Sequence, residues 1–435
     1  MSAFAFEAVP GRPPEWPALA ADGPMFATER WLTAMRGRVP GAAYTFVLRE
    51  AGVTVPAAPA APATPGTPGT ADAADAAGAA GTPGTAGTPG TADAAGAAGT
   101  PGTADAAGAA VLVLYGTVVT GVDRPGRGEV FDLPYILAGD PAELPLSAAA
   151  RAARAAGPPE PAPPRDDWFP HLVVMLPGYE CHPLGPLARD REALDTLVAA
   201  VTDWAADQGL RAVAFLYPPP DTAPLGRVLA ARGFTEVPLA YSCELRLPGD
   251  GFEDYLAALP RKRRGEVRRE LRLLREAGVE VRAERVTEPG ADVVELKCGH
   301  SAKYNGRPPD RAKTAGRLRD LCAGGALLLR AERAGVLLGY GLFVEHAGVR
   351  YCVSTGMDYA SAAARHTYFA TVFYEPARLA YPAGVRRLHY GQGSWRAKTA
   401  RGCEAVELSG WVLPLDPALA PAVAWSARTT SLLSP

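Results

Sequence analysis

Three side chains at the ends of strand-like runs in the last third of the chain could move protons. Glu345 closes VLLGYGLFVEH (Val336–His346), Asp358 follows VRYCVSTG (Val349–Gly356), and Tyr390 closes RRLHY (Arg386–Tyr390). A carboxylate there could take a proton from an attacking amine, and a phenol could return one to a leaving group. Asp358 is the first choice of base, with a turn cap as its structural alternative; Glu345 has a solvated hairpin carboxylate as its alternative. Lys303 and Tyr304 lie in a Gly/Pro-rich loop, and Tyr359 and His389 at strand ends, where substrate contacts concentrate. Cations are dense in two places. PRKRRGEVRRELRLLREAG carries Arg263, Arg264 and Arg268, and GQGSWRAKTARG carries Arg396, Lys398 and Arg401 behind Gly391 and Gly393. Those glycines let backbone approach a ligand closely, and the cations suit phosphate oxygens. A solvated helix face held by i,i+4 Glu–Arg pairs explains the first cluster equally well.

These residues are positioned by a repeated order of elements. Ala42–Glu50 and Ala109–Gly121 read as two hairpin strands. His171–Leu176 is an apolar strand, Arg191–Gly209 an amphipathic helix with Leu194, Leu197, Val198, Val201 and Trp204 on one face, and Arg211–Tyr217 a strand. Pro224–Phe234 is a short helix, and Tyr241–Leu247 an alternating strand. The second half repeats the order: strands at Val279–Val286 and Ala326–Arg333, the hairpin Val336–Gly356 turning at Ala347-Gly348, a helical segment at about Ser361–Tyr381, then Arg386–Tyr390 and Glu404–Leu413. The repetition is one of architecture rather than of residues. It predicts an α/β (α+β) fold of two units with mostly antiparallel sheets, 1–250 and 251–416, linked by a basic helix at 252–277, with a tail at 417–435. The second unit is expected to carry the chemistry. Ala57–Ala109, built from TPGT and ADAAGAAG units, cannot bury enough apolar area to offset its ordering entropy and reads as a disordered insert at a hairpin tip. Ser147–Pro164 reads as a second Ala/Pro-rich loop.

The composition narrows the function classes. A formal net charge of −2 over 435 residues implies no whole-chain attraction to nucleic acid or membrane. Six cysteines without a CxxC pair offer no zinc-type spacing, and scattered thiols without a basic, apolar leader fit a reduced cytoplasm. No apolar run approaches the ~20 residues of a membrane span. Cys181-His182 is an unusual loop pair, but no Ser/His/Asp or Cys/His spacing points to a covalent enzyme.

Four segments carry a family resemblance. GPMFATERWL (Gly23–Leu32), YLAALPRKRRGEVRRELRLLREAGVEV (Tyr255–Val281), HSAKYNG (His300–Gly306) and HYGQGSWRAKTARGCEAVEL (His389–Leu408) resemble, in that order, motifs of the FemAB-like and CelD-like branch of the GNAT acyltransferase superfamily. The resemblance spans most of the chain outside the insert. It implies a tandem GNAT-like fold, an acyl or aminoacyl group moved to an amine or hydroxyl of a cell-envelope or secondary-metabolite precursor, and acyl-CoA or aminoacyl-tRNA as co-substrate. It implies no metal, and tRNA as a possible partner. One departure stands out. The place where such folds cradle a CoA pyrophosphate on glycines and a helix N-terminus reads SAAARHTYFA (Ser361–Ala370) in the second half and GYECHPLGPLARD (Gly178–Asp190) in the first, and neither fits the pattern. The rival reading is a non-catalytic protein that keeps the fold and binds a ligand or partner in its cleft.

Overall fold

The computed structural model describes residues 4–50, 108–122, 131–138, 148–157, 162–177 and 180–429. The disorder expected for 57–109 falls almost wholly outside these residues. The flanking strands behave as expected: β2 (Ala42–Glu50) and β3 (Ala110–Val119) pair antiparallel, closed by the Glu50 amide on the Ala109 carbonyl at 3.1 Å. Their residues are buried on both faces and divide by alternation. Phe46, Leu48, Leu112 and Leu114 enter one core, and Val47, Val113 and Tyr115 enter another.

The strands among the described residues join one 12-stranded sheet in the order β1-β2-β3-β4-β5-β12-β6-β11-β10-β9-β8-β7. The first half supplies β1 (Phe4–Pro10), β2, β3, β4 (His171–Val174), β5 (Ala212–Leu216) and β6 (Thr235–Arg246). The second supplies β7 (Glu280–Val286), β8 (Ala326–Arg333), β9 (Val336–His346), β10 (Val349–Met357), β11 (Arg387–Gly391) and β12 (Glu404–Pro414). Among the described strands, only β4–β5 and β10–β11 pair in parallel, each bridged by a helical crossover. Replacing each strand by its counterpart in the other half reverses the order and leaves it unchanged. The sixth strands are exchanged: β12 lies against β5, and β6 lies against β11. The two halves therefore do not pack side by side as closed units; each completes the other's sheet. A central core joins them too, with Trp31, Leu32 and Met35 of the Glu29–Met35 helix packed among Leu318, Leu321 and Cys322 of the Arg311–Cys322 helix.

Local chemistry explains the boundaries. Asp190 caps the Arg191–Asp207 helix, its Oδ1 accepting from the Ala193 amide at 2.8 Å, and Gly209 ends it at φ +69°. Ala347 and Gly348 both take positive φ, which matches the twist of a two-residue hairpin. The basic segment is not one helix. Leu259, before Pro260, is extended (ψ 148°), and the chain splits into Phe252–Ala258 and Arg261–Glu276. The Ser361–Tyr381 segment is also broken: a left-handed His366 precedes a single turn, and Ala370–Tyr374 is π-helical. Pro376, two residues beyond Tyr374, lacks the N–H that an α-helical bond to residue 372 would need.

Two further expectations are corrected, and a third is sharpened. Lys303-Tyr304 sits in the last turn of a helix, Ala291–Asn305, not in a loop. Ser147–Pro164 contains the Ala148–Ala155 helix. Over residues 417–429 the tail is helical and packed: Val423 of the Ala420–Thr429 helix is buried in the core of the first half with Leu408 and Val412 of β12.

Candidate functional site

A cleft of about 2060 Å³ opens where the two halves meet, lined from both. On β6, alternation sends Tyr241, Cys243 and Leu245 inward and turns Ser242 and Glu244 to the cleft. Arg387 and His389 share the corresponding face of β11, and Tyr351 faces it from β10, in register with His389. The β4–helix connection brings in Glu180 and His182 from the first half.

These residues form a connected polar group. Glu180 is buried; its Oε2 takes a bond from His182 Nε2 at 3.1 Å and its Oε1 one from Ser242 Oγ at 3.3 Å. His389 Nε2 lies 3.2 Å from Ser242 Oγ and 3.7 Å from Glu180 Oε1. Burial alone would raise the Glu180 carboxyl, but the hydrogen bonds and charges of His182 and His389 outweigh it and bring it down to about 2. The His389 ring is held between Phe26 (5.6 Å, edge to face) and Tyr351 (5.1 Å, tilted). Beside it, Arg387 forms a two-pronged bond to Glu244 at 3.0 and 2.7 Å. An imidazole facing the open cleft, fixed by rings, next to an ionised carboxylate and a hydroxyl, is equipped to accept a proton and to carry the resulting charge.

Of the candidate site residues singled out in the sequence, His389 enters this group, and so does His182 of the loop pair noted there. Asp358 is a turn cap: its Oδ1 accepts from the Ala360 amide at 3.0 Å. Tyr390 is buried, stacked on Phe373 at 4.5 Å, with no hydrogen-bond partner for its hydroxyl among the described residues, and burial holds its proton well above the usual range. Glu345 is clamped between Arg285 and the buried Arg350, both at 2.8 Å, so it is not free to act as a base. Lys303, Tyr304 and Tyr359 do come together. Lys303 Nζ stands 3.6 Å over the Tyr359 ring, and the Tyr359 hydroxyl meets His300 Nδ1 at 2.7 Å. None of these residues lines the large cleft.

The expected phosphate contacts divide. Lys398 is buried and donates to the carbonyls of Tyr390, Gly391 and Gln392 at 2.8–2.9 Å, which uses all three ammonium protons. Arg401 pairs with Glu270 at 3.1 Å and lies 3.4 Å over the Phe369 ring. Both serve the fold, which corrects the sequence expectation. Arg263 and Arg268 are paired to Glu266 (2.7 Å) and Glu253 (2.8 Å) on the surface. Arg264 reaches the Leu259 carbonyl at 3.4 Å, and Arg396 is exposed over the Trp395 ring.

Sequence reasoning missed Glu180, Ser242 and Tyr351. The alternation of YSCELRL could have flagged Ser242. Glu180 sits in an aperiodic connection, and the attention there fell on Cys181, which is fully buried with its thiol pushed up by burial. Among the described residues, no group of three or more His, Cys, Asp or Glu is placed to hold a metal ion, and no helix is long and apolar enough to cross a membrane.

A doubled α/β unit with a parallel strand pair and helical crossover in each half is a tandem GNAT-like fold. The chain belongs to the FemAB-like family, described as peptidoglycan biosynthesis/recognition, whose model matches residues 165–430. Among solved structures, it is similar to a tandem GNAT protein from the clavulanic acid biosynthesis pathway, with 13% identity over 94% of this chain and 98% of that one and a TM-score of 0.42. It is similar to FemX, with 12% identity over 53% and 79% and a TM-score of 0.41. The C-terminal domain of a putative lysylphosphatidylglycerol synthetase from Agrobacterium fabrum gives 12% identity over 60% and 83% and a TM-score of 0.39. No curated protein gives a significant match.

Proposed function

We propose that the protein transfers an acyl or aminoacyl group to an amine or hydroxyl of a cell-envelope or related precursor, in the cleft between its halves. The observation that carries this is the Glu180–Ser242–His389 group on the cleft wall. The acceptor N–H proton passes to the His389 imidazole as the nitrogen attacks the donor carbonyl. The imidazolium, held beside ionised Glu180, then returns the proton to the leaving thiolate or ribose oxygen. The reaction is a direct displacement: one C–N bond forms and one C–S or C–O bond breaks.

The donor is acyl-CoA or aminoacyl-tRNA. Among the described residues, neither half shows a glycine cradle for a pyrophosphate. In the first half the helix N-terminus is already occupied by Asp190, and in the second the chain is left-handed at His366 before a single turn. These features favour a donor held by something other than that loop. Incubation with labelled acyl-CoA and labelled aminoacyl-tRNA, against a panel of peptide and small-molecule amines at two salt concentrations, tests the reading. Label should pass from one donor to an amine. Failure of both donors across the panel would leave a binding protein that retains the fold.

A further inference from the structure

We infer that a small cavity in the first half binds a monocarboxylic acid with a compact apolar body, at a site separate from the large cleft. The cavity, of about 560 Å³, falls within the roughly 300–1,000 Å³ range of small-molecule sites. It is lined by the connection after β1 (residues 11–17), the Glu29–Met35 helix with the Arg36–Arg38 turn that follows it, and strands β2 and β3. It shares no lining residue with the cleft. The Trp16–Leu19 turn of helix stands between the two: Trp16 and Pro17 line the cavity, and Ala18 and Leu19 line the cleft.

The walls are apolar and fixed. Pro13, Pro14, Pro17 and Pro177 bring no N–H to the lining, and Trp16 and Leu32 are buried beside them. The Gly11 amide donates to the Ala43 carbonyl at 2.8 Å, the Trp16 indole to the Ala27 carbonyl at 2.9 Å, and the Trp31 indole to the Pro177 carbonyl at 3.0 Å. Walls braced in this way are formed before a ligand arrives, which lowers the ordering cost of binding.

Two donors of the lining are unused. Tyr115 is only 8% exposed, with its ring edge-on to Trp16 at 5.9 Å. Its hydroxyl makes no hydrogen bond among the described residues, yet it is not sealed from solvent. Tyr115 lines this cavity and not the cleft, so the hydroxyl opens here. Burial raises the phenol, which keeps it a donor at neutral pH. Arg36 is exposed at the rim and makes no ion pair among the described residues. Glu29, the carboxylate of the lining, is already occupied: Arg12 grips both its oxygens, one of them at 3.0 Å, and Thr33 Oγ1 donates to it at 3.1 Å. Arg36 acts on Glu29 by charge alone. One uncompensated guanidinium matches a single negative charge, and a carboxylate can accept from it and from the phenol. The prolines and Trp16 then cover the apolar body of the acid.

Calorimetric and ligand-observed NMR titrations of the full chain at constant ionic strength test this, without turnover and so independently of the transfer reading. The probes are phenylacetate, isovalerate, phenylacetamide and acetate. At least one of the two apolar acids should bind. Phenylacetamide has the ring without the charge, and acetate has the charge without the body; each should bind about tenfold more weakly or worse. Arg36→Gln and Tyr115→Phe should each weaken the acid by about tenfold, the loss expected of one charge-assisted hydrogen bond. Arg189→Gln, which removes a cation of the large cleft, should leave binding unchanged. Unliganded Tyr115→Phe should melt no lower than wild type, because its hydroxyl has no protein partner to lose. Absence of binding by both acids, equal binding by wild type and the two cavity variants, or equal binding of the acid and its amide would overturn the inference. So would loss of binding in Arg189→Gln alone, or a fall in the melting temperature of unliganded Tyr115→Phe.

Discussion

At the scale of single residues, the site depends on an ionised Glu180 held between two imidazoles and a hydroxyl. Its folded-state value, about 2, lies below the ordinary 4.5, so it contributes stability above pH 4.5 that is lost as the pH falls towards 2. Glu180→Gln should therefore flatten the acid side of the melting-temperature profile between about 4.5 and about 2, and a wild-type-like decline there would show the carboxylate to be unperturbed. His389 was legible in the sequence because it ends a strand before a Gly-rich loop. Glu180 was not, because nothing in an aperiodic connection reveals which side chain turns inward. Lys398 was misread for a related reason. A lysine behind two glycines looks ready for phosphate, but the chain folds back and spends its ammonium on the carbonyls of Tyr390, Gly391 and Gln392.

At the scale of elements, strands were the most legible feature. The runs at Val336–His346 and Val349–Met357 form the hairpin their alternation predicts. The Ala291–Asn305 helix was hidden because its apolar residues, Val293, Val294 and Leu296, cluster at one end rather than forming a stripe. The strand exchange was illegible for a different reason: an order of elements cannot say whether a sixth strand joins its own half or its counterpart. The exchange makes the halves interdependent. Residues 1–250 expressed alone should lack a cooperative thermal transition, because β5 and β6 both lose β12 and β6 also loses β11. Co-expression with 251–435 should restore one transition. Cooperative melting of the isolated 1–250 fragment would contradict this account.

At the scale of the whole molecule, the fold class could be read from the repeat and from four motifs, whereas the cleft shared by the two halves could not. The sequence pointed to the second half, where Asp358, Glu345 and Tyr390 end their strands. The structure puts those three in a cap, an ion-pair clamp and an aromatic stack, and opens its large cleft between the halves. The central claim is that transfer takes place in that shared cleft. Once a donor–acceptor pair is found, the direct measurement is kcat/KM for His389→Asn and Glu180→Gln beside Asp358→Asn and Tyr390→Phe. The account predicts losses of roughly 100-fold or more in the first two, the range of a lost general base, and less than about threefold in the others. Near wild-type rates for His389→Asn together with a collapse in Asp358→Asn or Tyr390→Phe would contradict it and return the chemistry to the second half.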